Sequence, residues 1–279
     1  MKRILLIVVL LVTVISCNTG QNFKHLNNTG NVSSVSQEGG ITSPVTFQII
    51  YDNYLKNNEL KADWGFSVMV TGLTKTILFD TGTDPDIFLS NFTGMNLDAS
   101  SIDYLVLSHE HGDHTGGIPG LAKLKKDIPA VIPSSFSQQF KNTLVKTGFE
   151  PLLVTQPAEI CKDLFTSGEF SEPLYEHALV LNTGKGLVVM TGCSHPGIIN
   201  MLRRIRSDFG KNVYMVFGGF HLMEKSDDEI NSIIRDMKSM GVVKCGATHC
   251  TGDHQIEMFR EAFGDDFVEL GVGNTLIVE

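Results

Sequence analysis

Residues 104–114 read Tyr104-Leu105-Val106-Leu107-Ser108-His109-Glu110-His111-Gly112-Asp113-His114. The first four form a short apolar run, the signature of a buried strand. Ser108 hands the chain from that strand into a loop. Three imidazoles and two carboxylates then fall within six residues, His109 to His114. In a tight loop His109 and His111 share one metal ion, while Asp113 and His114 turn toward a second. Imidazole mixed with carboxylate suits zinc, manganese or iron. Gly112 and the pair Gly116-Gly117 permit the close backbone turns such crowding needs. A merely solvated polar loop would have neither the apolar strand before it nor the glycines after it. Glu110 is expected to point outward.

The pattern around this stretch is that of one α/β domain. Val45 to Tyr51, Gly65 to Thr71 and Thr76 to Phe79 read as strands, and Asp80-Thr81-Gly82 reads as a turn. A helix is expected over Pro85 to Asn91. Leu187 to Met190 reads as a strand before Gly192-Cys193-Ser194-His195, and Ile198, Leu202 and Ile205 then recur at helical spacing. Val213 to Phe217 reads as another strand. Ser226 to Glu229 forms a capping box before the apolar face Ile230, Ile233, Ile234 and Met237. A last strand begins at Val242-Val243 and ends at Thr248-His249. Candidate site residues therefore follow strands, where loops converge without disturbing a core. His177 is expected on a strand near the pocket rim, His254 early in a helix and His25 in an N-terminal tether.

The stretch His109-x-His111-x-Asp113-His114 resembles the signature of the metallo-β-lactamase superfamily. The resemblance continues through Tyr51-Asp52-Asn53, Trp64-Gly65-Phe66-Ser67, Leu78-Phe79-Asp80-Thr81-Gly82, Thr191-Gly192-Cys193-Ser194-His195-Pro196-Gly197, Gly218-Gly219-Phe220-His221-Leu222 and His249-Cys250-Thr251-Gly252. Together these look like the dihydropteroate-synthase-like branch, whose members are often labelled as making a dihydropterin–ribofuranosylaminobenzene phosphate conjugate. The resemblance implies an αββα sandwich with two divalent metal ions at one edge, zinc foremost and manganese or iron as alternatives. It implies His109 and His111 as ligands of one ion, Asp113 and His114 as ligands of the other, and His249 and His195 as further ligands. Asp80 matches the acid that orients a ligand from behind. The chain departs from the wider pattern at Cys193, where most members carry a bridging Asp. Either His195 supplies the middle ligand with no protein bridge, or Cys193 also contributes a thiolate. Asp113 and His221 are the catalytic candidates, and His221 is read either as a site residue or as a structural one.

The chain has 279 residues, 42% of them hydrophobic, and a formal net charge of −9. That composition supports a large core. The acidic balance argues against nucleic acid as a partner and leaves a small molecule as the expected substrate. Lys2 and Arg3 precede an apolar run from Ile4 to Ile15 that is shorter than the roughly 20 residues a bilayer requires. Residues 1–16 are thus expected as a signal peptide. Val14-Ile15-Ser16-Cys17 resembles the lipobox of bacterial lipoproteins. Cys17 is then the lipidated residue of an exported, membrane-anchored envelope protein, with residues 17–44 as a flexible tether rich in Asn, Gly, Ser and Thr. The catalytic domain is expected over residues 45–279. Loss of Lys2 and Arg3 takes the charge from −9 to −11. Five cysteines occur without a CxxC pair. The leading functional expectation is a hydrolase working through a metal-bound hydroxide on an ester or phosphoester. Group transfer on a pterin or phosphate substrate and a metal-binding sensor without turnover are the alternatives.

Overall fold

The computed structural model describes residues 23–26, 32, 35, 39–171 and 173–279. The signal peptide expected over 1–16, the lipidation site Cys17 and most of the tether lie outside the described residues. Two parts of the tether range are held to the body. β1 (Lys24–His25) pairs in parallel with Leu152 and Leu153, and Leu26 N–H donates to the Leu153 carbonyl. Farther on, Ile41 N–H donates to Asn182 and Lys211 Nζ to the Gly39 carbonyl. Open backbone groups on the edge strand and on a neighbouring hairpin recruit this polar segment.

In chain order the first sheet takes β2 (Val45–Tyr51), β3 (Ser67–Thr71), β4 (Thr76–Phe79), β5 (Ile102–Val106), β6 (Pro129–Pro133) and β7 (Glu150–Val154). The second takes β8 (Ala158–Cys161), β9 (Leu164–Thr166), β10 (Leu179–Thr183), β11 (Gly186–Thr191), β12 (Val213–Gly219) and β13 (Lys244–Thr248). β14 (Thr275–Val278) returns to the edge of the first sheet, beside β2. The orders are β1-β7-β6-β5-β4-β3-β2-β14 and β13-β12-β11-β10-β9-β8. Strands β4 to β7 run parallel, as do β11 to β13.

Both faces of the central strands are buried, and the two-residue side-chain period sorts them between layers. On β4, Ile77 and Phe79 enter the core between the sheets, while Leu78 faces the helices. On β11, Val188 and Met190 point between the sheets, and Leu187 and Val189 point outward. Phe47 and Phe217 meet edge to face across the sandwich at 5.1 Å.

Helices α1 (Pro85–Gly94), α2 (Gly112–Thr115), α3 (Ile118–Leu124) and α4 (Gln138–Thr147) belong to the first half. Of these, α1, α3 and α4 cover the outer face of the first sheet. α5 (Ile198–Phe209), α6 (Asp227–Ser239) and α7 (Asp253–Phe263) cover the second. This is the αββα sandwich. The expected capping box forms at the start of α6. α1 runs past the expected Asn91 because Phe92 continues its buried face. Among the described residues no helix is long and apolar enough to cross a membrane.

His177 is not at a pocket rim. It is fully buried beneath the end of β5, because its ring bridges the two sheets. Its Nε2–H donates to the Leu107 carbonyl at 2.9 Å, and Nδ1 accepts from Thr166 Oγ1 at 2.7 Å. Its backbone N–H holds the Ser108 carbonyl. Burial lowers its pKa to about 4, against the opposing Leu107 bond. A histidine neutral in the fold but titrating normally when unfolded stabilises fully above its ordinary pKa. That contribution is lost as pH falls through the window from about 6.5 down to about 4, and amounts to about 3 kcal/mol. In urea unfolding across this window, His177→Gln should be less stable at pH 7 and lose less stability on acidification than the parent. Parallel pH profiles for the two proteins would contradict this role.

Candidate metal centre

All donor-bearing loops leave the same edge of the sandwich. Asp80 follows β4, Ser108–His114 follows β5, Gly192–His195 follows β11, His221 follows β12 and His249 follows β13. The chain turns sharply there. Asp80, Ser194, His221 and His249 all have positive φ, between 50° and 63°, a conformation that non-glycine residues hold only where the surroundings enforce it.

Asp80 is fully buried. Its Oδ1 accepts the Ser108 N–H at 2.7 Å, and its Oδ2 accepts Ser108 Oγ–H at 2.7 Å and His114 Nδ1–H at 2.6 Å. Since the Ser108 hydroxyl proton points to Asp80, its oxygen accepts from His109 Nδ1–H at 2.9 Å. The expected orienting role of Asp80 thus reaches two imidazoles, one directly and one through Ser108. Asn53 does the same for His249. Its Oδ1 accepts from Gly65 N–H and its Nδ2 donates to the His249 carbonyl, which fixes the amide orientation. His249 Nδ1–H therefore donates to Asn53 Oδ1 at 2.9 Å.

Each of these rings uses Nδ1–H backward and turns the Nε2 lone pair forward. His109 Nε2, His195 Nε2 and His249 Nε2 are buried with no hydrogen-bond partner. His249 Nε2 lies 3.3 Å from Asp113 Oδ2, two electron-rich atoms facing each other. Such a pairing calls for a cation between them. At His114, burial lowers the pKa, but the Asp80 carboxylate outweighs it and lifts the ring to about 9. A cation at its Nε2, proton or metal, is therefore favoured. Burial alone would raise Asp113; the imidazoles of His249 and His114 hold it below the usual carboxylate range. His195 is pushed down to about 3 by burial and by the neighbouring His221 and His111. His109 is depressed for the same reasons. Neutral imidazoles are the form a metal ion needs.

The donors fall into two groups. The rings of His109, His111 and His195 lie 4.8 Å apart in all three pairs. Donor atoms of Asp113, His114, His249 and Cys193 lie within 4.8 Å of one another. Cys193 also lies that close to His109 and His195, so its sulfur stands between the groups, 3.2 Å from His114 Nε2. His195 reaches back over the strand end toward His109 and His111. His221 is placed beside it, with ring centroids 4.2 Å apart. The chemistry of these donor groups fits metal binding.

Trp64 and Cys250, which the motifs contain, and Glu176, which they do not, lie at this site without having been expected as site residues. Trp64 Nε1–H donates to Asp113 Oδ2 at 2.8 Å, and its ring leans on His249 at 4.9 Å. Glu110 does point outward, where it accepts from Ser137 at the start of α4. His254 sits in the first turn of α7, paired with Asp227. Glu176 is fully buried and accepts the backbone N–H groups of Cys193, Ser194 and His195 at 2.9, 2.7 and 2.8 Å. Burial raises its pKa to about 7, against those three bonds. It thereby pins the turn that carries both Cys193 and His195. Glu176→Ala leaves three buried donors unpaired and should cost upwards of about 3 kcal/mol in urea unfolding. Glu176→Gln should keep the fold but weaken metal retention against a chelator, because an amide N–H₂ cannot accept from all three donors. Unchanged metal retention in Glu176→Gln would contradict the positioning role.

The family profile described as the metallo-beta-lactamase superfamily matches residues 65–195. A protein of Methanocaldococcus jannaschii named 7,8-dihydropterin-6-methyl-4-(beta-D-ribofuranosyl)-aminobenzene-5'-phosphate synthase is 32% identical over 269 residues, covering 79% of this chain and 92% of its own. The solved structure of Tm1679, described as a metal-dependent hydrolase of the beta-lactamase superfamily, superposes with a TM-score of 0.70 at 28% identity. It covers 83% of this chain and 98% of its own. YhfI of Bacillus subtilis shares the fold at a TM-score of 0.63 and 19% identity, covering 85% of this chain and all of its own. With its sandwich, its ordered motifs and a near full-length relationship to the archaeal synthase, the chain belongs to the metallo-β-lactamase superfamily.

Proposed function

We propose that the protein is a metal-dependent enzyme that hydrolyses a small ester or phosphoester at a two-ion centre. The observation that carries this reading is the convergence of three buried, unpartnered imidazole nitrogens, on His109, His195 and His249, at one edge of the sandwich. His109, His111 and His195 would hold one ion; Asp113, His114 and His249 would hold the other, with the Cys193 thiolate between them. Two ions there supply Lewis-acid polarisation of a substrate oxygen and a nucleophilic water at neutral pH. The chain's own residues do the positioning. Asp80 and Asn53 fix the imidazole tautomers, and Glu176 fixes the turn of His195. Asp113 receives the Trp64 N–H and is held ionised, so it serves better as a fixed charge and ligand than as a strong base.

Group transfer on a pterin or phosphate substrate is the second reading. The near full-length relative named as a synthase favours it. Both readings use the same centre and differ in what accepts the transferred group. Turnover of chromogenic phosphodiesters and esters by the zinc- or manganese-loaded protein, without an added acceptor, supports hydrolysis. Turnover that requires an aromatic amine acceptor supports transfer. His111→Ala, at an exposed position, should leave folding intact, lower bound metal and reduce turnover at least about 100-fold. Full activity in that variant would refute the metal-dependent reading.

We extend the proposal to location: an exported protein, tethered to the bacterial envelope through a lipid on Cys17, acting on small molecules and not on nucleic acid. The basic start, short apolar run and Val14-Ile15-Ser16-Cys17 support it. Cys17→Ala should move the protein from the membrane pellet to the soluble fraction. Continued partition into membranes would contradict lipid anchoring at this residue.

A further inference from the structure

We propose that Cys193, His221 and Cys250 form a third, thiolate-rich metal position beside the two-ion centre, taking a soft divalent ion such as zinc or ferrous iron. The proposal rests on the two-ion reading, since Cys193 is shared with that centre. Three adjacent parallel strands each deliver one donor at the same edge. Cys193 follows β11, His221 follows β12, and Cys250 lies in the short turn after β13. Their donor atoms lie within 4.8 Å of one another, within reach of one ion binding sulfur at about 2.3 Å and imidazole at about 2.0–2.1 Å.

The surroundings of Cys250 are not those of a core cysteine. Cys245, on β13 itself, packs into the apolar cluster beneath α5 to α7. Among the described residues, neither Cys193 nor Cys250 joins any of the three apolar clusters, although both are buried. Gly219, the last residue of β12, makes room for the second sulfur. A Cβ there would stand 2.8 Å from Cys250 Sγ and 3.3 Å from the Cys193 Cα. The turn itself is fixed from both sides. Thr251 Oγ1–H donates to the Thr248 carbonyl, and the same oxygen accepts the Phe220 N–H. The loop before His221 and the loop carrying Cys250 are thus tied together. His221 adopts positive φ to face the pair.

Two sulfurs and one imidazole match the donor preference of zinc or ferrous iron over magnesium or calcium. A thiolate sulfur carries three lone pairs, so Cys193, standing between the two ligand sets, has one left for the third position. His221 is exposed, which leaves the fourth coordination position open to water or to a substrate oxygen. On this reading His221 is a ligand, which also explains its place beside His195.

The test is a cobalt(II) titration of the full chain, purified in detergent under anaerobic, reducing conditions. Bound metal is measured by elemental analysis and thiolate ligation by the near-ultraviolet sulfur-to-cobalt charge-transfer band. The parent should saturate one equivalent above both Cys250→Ser and His221→Ala. The sulfur-to-cobalt band should fall by about half in Cys250→Ser, because one of two thiolates is lost. His221→Ala removes an exposed ring and so guards against misfolding of the cysteine variant. Saturation at two equivalents in all three proteins, with an unchanged band, overturns the third position and leaves the two-ion centre standing. A parent that binds fewer than two equivalents overturns both.

Discussion

Asp80, itself fully buried, accepts three hydrogen bonds, and the proton positions of the centre follow from them. One oxygen holds the backbone of Ser108 and so fixes where the β5 loop begins. The other holds the Ser108 hydroxyl and His114. His109, bonded to Ser108, inherits its tautomer from the same carboxylate. A histidine with Nδ1–H committed backward has only the Nε2 lone pair to offer forward. The strand ends thereby acquire buried, electron-rich nitrogens with no donor to meet them, one of them facing the Asp113 carboxylate. Without a cation that arrangement costs free energy. The fold places it at the strand ends, where the parallel ladders of both sheets stop and the backbone is free to turn.

The same economy explains the strained backbone. Positive φ at Asp80, Ser194, His221 and His249 aims side chains that an extended strand would direct above or below the sheet. Three of these four residues are over-determined by their neighbours. Asp80 is locked by Ser108, Ser194 sits in the cradle of Glu176, and His249 is held by Asn53. Gly192 adds the reciprocal constraint. A Cβ there would lie 2.2 Å from Ser108 Oγ, so only glycine lets the β11 turn approach the β5 loop. The two halves of the sandwich meet through that contact, and the centre is built across it.

The sandwich and the first four candidate ligands were legible because their signals are local. The apolar run 104–107 and the cluster 109–114 are contiguous, and the strand patterns recur in order around them. The rest was hidden by distance along the chain. Glu176 meets its partners 17 to 19 residues away, Trp64 meets Asp113 after 49, and Asn53 meets His249 after 196. A buried Glu between Tyr175 and His177 carries no mark in the sequence that separates it from a surface acid. His177 was misplaced for the same reason: a polar residue at a strand margin reads as exposed unless its carbonyl partner, 70 residues earlier, is known. The tether composition gave no hint that Lys24–His25 would pair with β7, because edge pairing is a backbone interaction that side-chain identity scarcely records.

The central claim is that one sandwich edge assembles two ligand sets around the Cys193 sulfur. Crystallography of the metal-loaded protein, with anomalous data collected on both sides of the metal absorption edge, tests it most directly. The account predicts one anomalous peak bounded by His109, His111 and His195, and a second bounded by Asp113, His114 and His249, with Cys193 Sγ between them. The absence of a peak at either ligand set, or Cys193 Sγ turned out of the centre while both ions are bound, would contradict it.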